Sequence, residues 1–160
     1  MQTLATLEEL LFAHPFLAGL DVKFLNVFAS CASLRRFSSR QRIFEQGGEA
    51  DHFYLVLNGK VTLVTVVPDR APLSIQTLEA GEALGWSWLF APYRWRFAAV
   101  TSAPTEVISF GAGFLRERAN KDVEFANELL KRIAQTVVQR LAASQDKLSE
   151  LCSVNEGRVQ

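Results

Sequence analysis

Between Thr6 and Ala32 apolar side chains recur at intervals of three and four: Leu7, Leu10 and Leu11, then Leu20, Phe24, Val27 and Phe28. That spacing predicts short amphipathic helices, interrupted at His14-Pro15 and at Gly19. After Phe37 the period drops to two, through RIFEQGG, HFYLVLNGKVTLVTVV and PLSIQTLEAGEALG, and strands are expected instead. Within LVLNGKVTLV, Asn58-Gly59 can supply the positive φ of a two-residue turn, so a hairpin is predicted there. PDRAP, from Pro68 to Pro72, reads as another turn, and TEVISF, from Thr105 to Phe110, as a further strand. Short strands punctuated by Gly and Pro, with helices at both ends, predict a mainly β fold with flanking helices, a small barrel or roll.

From Asp122 to Leu151 there is no Pro or Gly. Leu130, Ile133, Val137, Leu141, Ser144, Leu148 and Leu151 step by three or four, near the seam of a two-stranded coiled coil. A long C-terminal helix that pairs with the same helix of a second copy is expected; packing wholly against its own barrel is the alternative. Its charges balance, Lys121, Lys131, Arg132, Arg140 and Lys147 against Asp122, Glu124, Glu128, Asp146 and Glu150, which argues against a DNA-reading helix. The implied division is a roll with N-terminal helices over 1–120, the helix over 121–152 and a tail over 153–160.

With 160 residues the chain has the size of one domain. Seventeen basic residues offset seventeen acidic ones, so no broad field draws in DNA or an anionic membrane, and any anion site must be local. Cys31 and Cys152 stand far apart with no other cysteines, as in a reduced cytoplasmic protein without a structural disulfide. MQTLATLEELLFAHPFL carries acidic residues where a secretion signal would carry basic ones, and no apolar run reaches the ~20 residues that span a bilayer. His14 and His52, the two histidines, have no second ligand at a metal spacing, so no metal is expected. No nucleophile elbow, phosphate loop or paired-carboxylate arrangement is present, and an enzyme is not expected. Glu49 and Asp51, after Gly47-Gly48, read as turn residues.

GWSWLFAPYRWRFAAV, from Gly85 to Val100, holds all three tryptophans. Indoles at such density serve first as core or interface packing, and secondarily as a stacking platform for a base. Arg96 reads either as an anion contact or as a cation stacked on Trp95 or Tyr93, and Arg94 as the latter kind. YRWRF mixes basic and aromatic residues as single-strand nucleic-acid binders do, but the zero net charge disfavours that use.

In order, HPFLAGL, RIFEQGGEADHFYLVLNGKVTLV with Gly47, Asp51, Tyr54 and Gly59, and the long final helix resemble the cyclic nucleotide-binding domain of the catabolite-activator and FNR-type regulators. The resemblance covers nearly the whole chain. It implies an eight-stranded jelly-roll barrel, short N-terminal helices, a phosphate-binding cassette and a C-terminal helix that dimerises. In that family the cassette runs from a Gly-Glu pair through a short helix to an Arg followed by Ser or Thr. The glutamate accepts from the ribose 2′-hydroxyl, while the arginine and helix amides hold the cyclic phosphate.

Here Gly85 and Arg96 match, but Trp86 stands at the glutamate and Phe97 at the hydroxyl residue. Sliding the register onto Gly81-Glu82 would leave Leu84-Gly85 unmatched. The ligand set that the resemblance implies is therefore Gly85, Trp86, Ser87, Arg96 and Phe97, with Ser144 and Gln145 at the helix positions that face the purine. The ligand class is a cyclic nucleotide or another small anion, bound weakly. SVNEGRVQ resembles the hinge where such regulators start a helix-turn-helix domain, and no residues follow to build one, so direct DNA binding is not expected. Three readings result: a dimeric ligand sensor, a protein-interaction module whose pocket is occluded, or the sensor portion of a transcription regulator.

Overall fold

The computed structural model describes residues 6–157. The first helix, α1 (Leu7–Ala13), starts at a capping box in which Glu9 N donates to Thr6 Oγ1 and Thr6 N donates to the Glu9 carboxylate, satisfying two amides that a helix start leaves unpaired. His14 ends it and caps the 3₁₀ turn Pro15–Leu17. Asp21 caps α2 (Val22–Ser30) by accepting from Lys23 N at 3.0 Å. The breaks fall where His14-Pro15 and Gly19 predict them.

Eight strands follow: β1 (Ala32–Phe37), β2 (Arg42–Phe44), β3 (His52–Asn58), β4 (Lys60–Thr65), β5 (Leu73–Glu79), β6 (Ala83–Leu84), β7 (Ala98–Thr101) and β8 (Thr105–Gly111). They form two four-stranded antiparallel sheets, ordered β1-β8-β3-β6 and β2-β7-β4-β5. The eight-stranded jelly roll that the resemblance implies is present, as two facing sheets rather than one closed barrel.

The predicted hairpin at Asn58-Gly59 does not form, because β3 and β4 belong to different sheets. Asn58 is in register with Glu106, and its amide donates to Glu106 Oε1 at 2.8 Å. Gly59, at φ +100°, lets the chain turn the corner against the Pro104-Thr105 corner, where a Cβ would collide with the Thr105 side chain. The glycine serves a close approach here, not a two-residue turn. The hairpin instead joins β4 to β5, around the predicted PDRAP turn.

The N-terminal helices cover the β1-β8-β3-β6 sheet. Phe16 packs on Phe53 with centroids 5.2 Å apart and Phe28 on Phe110 at 5.4 Å. Phe28 also meets Phe125 of the C-terminal helix at 5.6 Å, so helices and sheet share one core. After α3 (Ala112–Lys121), Asp122 caps α4 (Val123–Gly157) by accepting from Phe125 N at 3.1 Å. The long helix thus begins two residues later than predicted and takes in Ser153 to Gly157, which the sequence reading assigned to the tail; no breaker intervenes before Gly157. Phe125, which packs on Phe24 and Phe28 of α2, is buried with Leu129 and Ile133 in that shared core. The expected seam therefore divides, since Ile133 faces its own domain while Leu130, Val137, Leu141, Leu148 and Leu151 remain exposed. Among the described residues no helix is long and apolar enough to cross a membrane.

His14 ties the N-terminal segment to this core. Its ring is 3% exposed. Nδ1 accepts from Phe16 N at 3.1 Å, so Nε2 carries the proton and donates to Val56 O at 3.0 Å. Burial holds the imidazole below its ordinary 6.5, opposed by the bond to Val56. A depressed histidine stabilises the fold fully above the unfolded value, and the stabilisation is lost as pH falls through the folded one. The thermal midpoint is expected to fall as pH drops from about 7.5 to about 5. His14→Asn, which keeps the cap but cannot titrate, is expected to have a shallower pH slope than the wild type, and equal slopes would exclude His14 as the cause.

Candidate functional site

β6 delivers the chain to Gly85, which sits at φ +84° with the Trp95 ring directly against it. A Cβ at this position would lie inside the indole, so glycine is needed both for the backbone and for the contact. Trp95 is held there by its neighbours. Its ring stacks on Phe44 with centroids 3.7 Å apart and planes 9° from parallel, and Tyr54 lies beyond at 6.5 Å. Its backbone is zipped to the Gly47-Gly48 turn: Trp95 N donates to Gly48 O at 2.9 Å and Gly47 N to Trp95 O at 2.8 Å. Arg94 Nη1 adds a bond to Gly47 O at 3.1 Å. Trp88 is fully buried against Phe53, and its carbonyl accepts from Arg116 Nη1 at 2.6 Å.

The short helix implied for this segment is replaced by turns. Leu89 N donates to Trp86 O and Tyr93 N to Phe90 O, and no helix is assigned between β6 and β7. Pro92 disfavours a helical Ala91 and has no N–H to give. The row of helix amides that would hold a phosphate is therefore not built.

Trp86 lies half-buried, and its ring is covered by the guanidinium of Arg140, whose Cζ is 4.6 Å from the ring centroid. Arg140 reaches in from α4 and is 7% exposed. Neither of its terminal nitrogens has a hydrogen-bond partner. Burial pushes this guanidinium down to about 10, with the Glu82 carboxylate acting in the opposite direction, so it is charged at neutral pH. Phe44, Leu63, Gly85, Trp86, Ser87, Trp95, Phe97 and Arg140 together enclose a void of about 10 Å³. That is about the space of one water molecule.

The predicted site residues are placed in three ways. Gly85, Trp86, Ser87 and Phe97 converge on this void. Arg96 is exposed at the rim of an adjoining open groove of about 740 Å³, which Trp86, Ser87 and Phe97 line as well, together with Phe90 and the α4 residues Leu130, Ala134, Val137 and Val138. Ser144 and Gln145 are exposed on α4 and border neither space. The helix residue that borders the void is Arg140, one turn earlier. A signal for it existed, since Arg140 lies seven residues after the buried Ile133 and on the inward face that Phe125 and Leu129 begin. Among the described residues no group of three or more His, Cys, Asp or Glu could hold a metal ion.

Comparison with known proteins matches residues 34–122 to the cyclic nucleotide-binding domain family. No curated protein sequence matches the chain. Among solved structures, a protein of Geobacter metallireducens assigned to cyclic nucleotide binding is similar at 25% identity and TM-score 0.77, over 86% of this chain and 99% of that one. A cyclic nucleotide-binding domain from Methylobacillus flagellatus is similar at 18% identity and TM-score 0.73, over 89% of this chain and 80% of the other. The c-di-GMP responsive global regulator CLP of Xanthomonas campestris aligns at 21% identity and TM-score 0.69, over 82% of this chain and 65% of that one. Two sheets in jelly-roll order, a Gly85 cassette between β6 and β7 and a long closing helix agree with the matched sequence: the chain belongs to the cyclic nucleotide-binding domain family.

Proposed function

We propose that this chain is a dimeric regulatory module in which the space reserved for a cyclic nucleotide is filled from within, so that cAMP and cGMP are not its ligands. The carrying observation is the void of about 10 Å³ between Gly85 and Arg140, against the roughly 300–1,000 Å³ that small-molecule pockets occupy. Chemistry argues the same way as volume. Trp86 supplies no acceptor for a ribose hydroxyl, and one charge-assisted bond of that kind contributes about 1.5–3 kcal/mol. Arg96 stands outside the void. Any anion that this module senses engages Arg140, the one guanidinium that borders the cassette and also belongs to α4.

The exposed side of α4 supports pairing with a second copy. With Ile133 turned inward, Ala134 takes its place, and Leu130, Ala134, Val137, Leu141, Ser144, Leu148 and Leu151 alternate by four and three. That is an uninterrupted two-stranded heptad pattern. Leu141, Leu148 and Leu151 are each more than half exposed, and a partner helix would remove that apolar surface from water at about 25 cal/mol per Å². The groove beside Trp86 and Phe90 continues this face. A ligand that shifts Arg140 would change α4, and through it the dimer, to the extent that it binds the two arrangements differently.

Isothermal titration of the full chain with cAMP, cGMP and c-di-GMP is expected to give no binding heat. Trp86→Glu combined with Phe97→Ser restores polar partners but leaves Trp95 under Gly85, so that variant is also expected to stay silent toward cAMP. Micromolar binding by the wild type would overturn the closed-site reading.

Sedimentation velocity is expected to show a dimer, and Leu141→Glu with Leu148→Glu a monomer whose β-sheet circular dichroism is unchanged. A monomeric wild type at tens of micromolar would exclude pairing of this face.

A further inference from the structure

Across the described residues, four buried side-chain nitrogens have no partner, and three of them belong to two arginines of one cleft: Arg132 Nε and Arg140 Nη1 and Nη2. The cleft, about 340 Å³, lies between α4, the Gly81-Glu82 turn before β6 and the Pro15–Leu17 turn, on the other side of Arg140 from the void at Gly85. Buried donors are ordinarily satisfied, and those that are not call for an explanation such as a bound ion or ligand. Their occurrence around one cavity is not what scattered packing defects produce.

Helix geometry brings these groups together. Arg132 and Arg140 are eight residues apart, on one side of α4, with Gln135 and Gln139 between them, and Gln76 of β5 lies opposite. Arg132 is already fixed, because its Nη1 donates to Phe16 O at 2.7 Å and Ala18 O at 2.9 Å. Glu82 is the carboxylate that lines the cleft, and its Oε2 accepts from Glu79 N at 2.6 Å. Glu128 stands 4.0 Å from Arg132 Nη2. Two guanidiniums and three amide side chains therefore face one lining carboxylate.

We propose that this cleft binds the dianionic phosphate of inorganic phosphate or of a phosphate monoester, not the singly charged phosphodiester of a cyclic nucleotide, with Arg140 as its principal donor and Arg132 Nε, Gln135 and Gln139 completing the site. The donors outnumber the oxygens of a single carboxylate, and a guanidinium fork matches phosphate through two parallel bonds. Arg140 forms the wall between the cleft and the small void. The void admits no ligand, so a phosphate reaches Arg140 from the cleft side. The indole attracts the cation, yet Nη1 and Nη2 are left without a hydrogen-bond partner, whereas a phosphate accepts from both. Binding accordingly draws the guanidinium off Trp86, and the emission of Trp86 reports it.

The test is a tryptophan-emission titration of the full chain at constant ionic strength with inorganic phosphate, with 5′-AMP and with acetate. A saturable change with phosphate and AMP, absent with acetate, is expected. A change with AMP alone would keep the site and show that the phosphate must be carried by a larger molecule. Arg140→Met, and separately Gln139→Glu on the exposed rim, are expected to raise the midpoint by about tenfold or more. Gln139→Glu decides the matter should circular dichroism show that Arg140→Met unfolds. No saturable change in the wild type, an equal response to acetate, or an unaltered midpoint in Gln139→Glu would overturn the proposal.

Discussion

A guanidinium laid on an indole holds the cassette to the long helix. Arg140 and Trp86 come from segments more than fifty residues apart in the sequence, and with their contact at 4.6 Å they wall the small void at Gly85. Such a contact contributes about 2 kcal/mol when desolvated. It leaves both terminal nitrogens without acceptors, and an uncompensated buried charge costs several kcal/mol. The arrangement is thus stable as packing but unsatisfied as hydrogen bonding. That imbalance gives an oxyanion something to compete for.

The rest of the site follows from where aromatic bulk is placed. Gly85 has no side chain, and Trp95 uses the freed space; Phe44 then braces Trp95, and the Gly47-Gly48 turn braces its backbone. Each step relies on a residue the fold would carry in any case. A jelly roll needs inward-facing apolar residues on both sheets, so replacing a ligand by an indole preserves the core density that a bound nucleotide would otherwise supply. On the proposed closed-site reading, the fold therefore stands without a nucleotide.

Much of this was legible in the residues. The helix breaks at His14-Pro15 and Gly19, the strands after Phe37 and the turn at PDRAP all follow from local periodicity and turn chemistry, which act over a few residues. Asn58-Gly59 misled because its local chemistry suits a hairpin, whereas the pairing is decided by Glu106 and Thr105, nearly fifty residues away. In the cassette, the replacement of an acid by Trp86 was visible as a change of type. That Trp95 lies under Gly85 was not, because no spacing rule says which of three indoles turns inward. Arg140 was counted with the charges of a solvated helix, and its burial becomes visible only when Ile133 is known to face the roll.

That turn of Ile133 divides α4 between two tasks. Phe125, Leu129, Ile133 and Arg140 address the roll, while the leucines from 141 onward address whatever lies outside. A rotation of the helix about its own axis could not satisfy one face without moving the other, since the side chains share one rigid backbone. A change at Arg140 that turned α4 would therefore reach the exposed leucines by geometry alone, with no relay of intermediate contacts. Such a coupling would depend on which faces α4 presents and not on what occupies the roll.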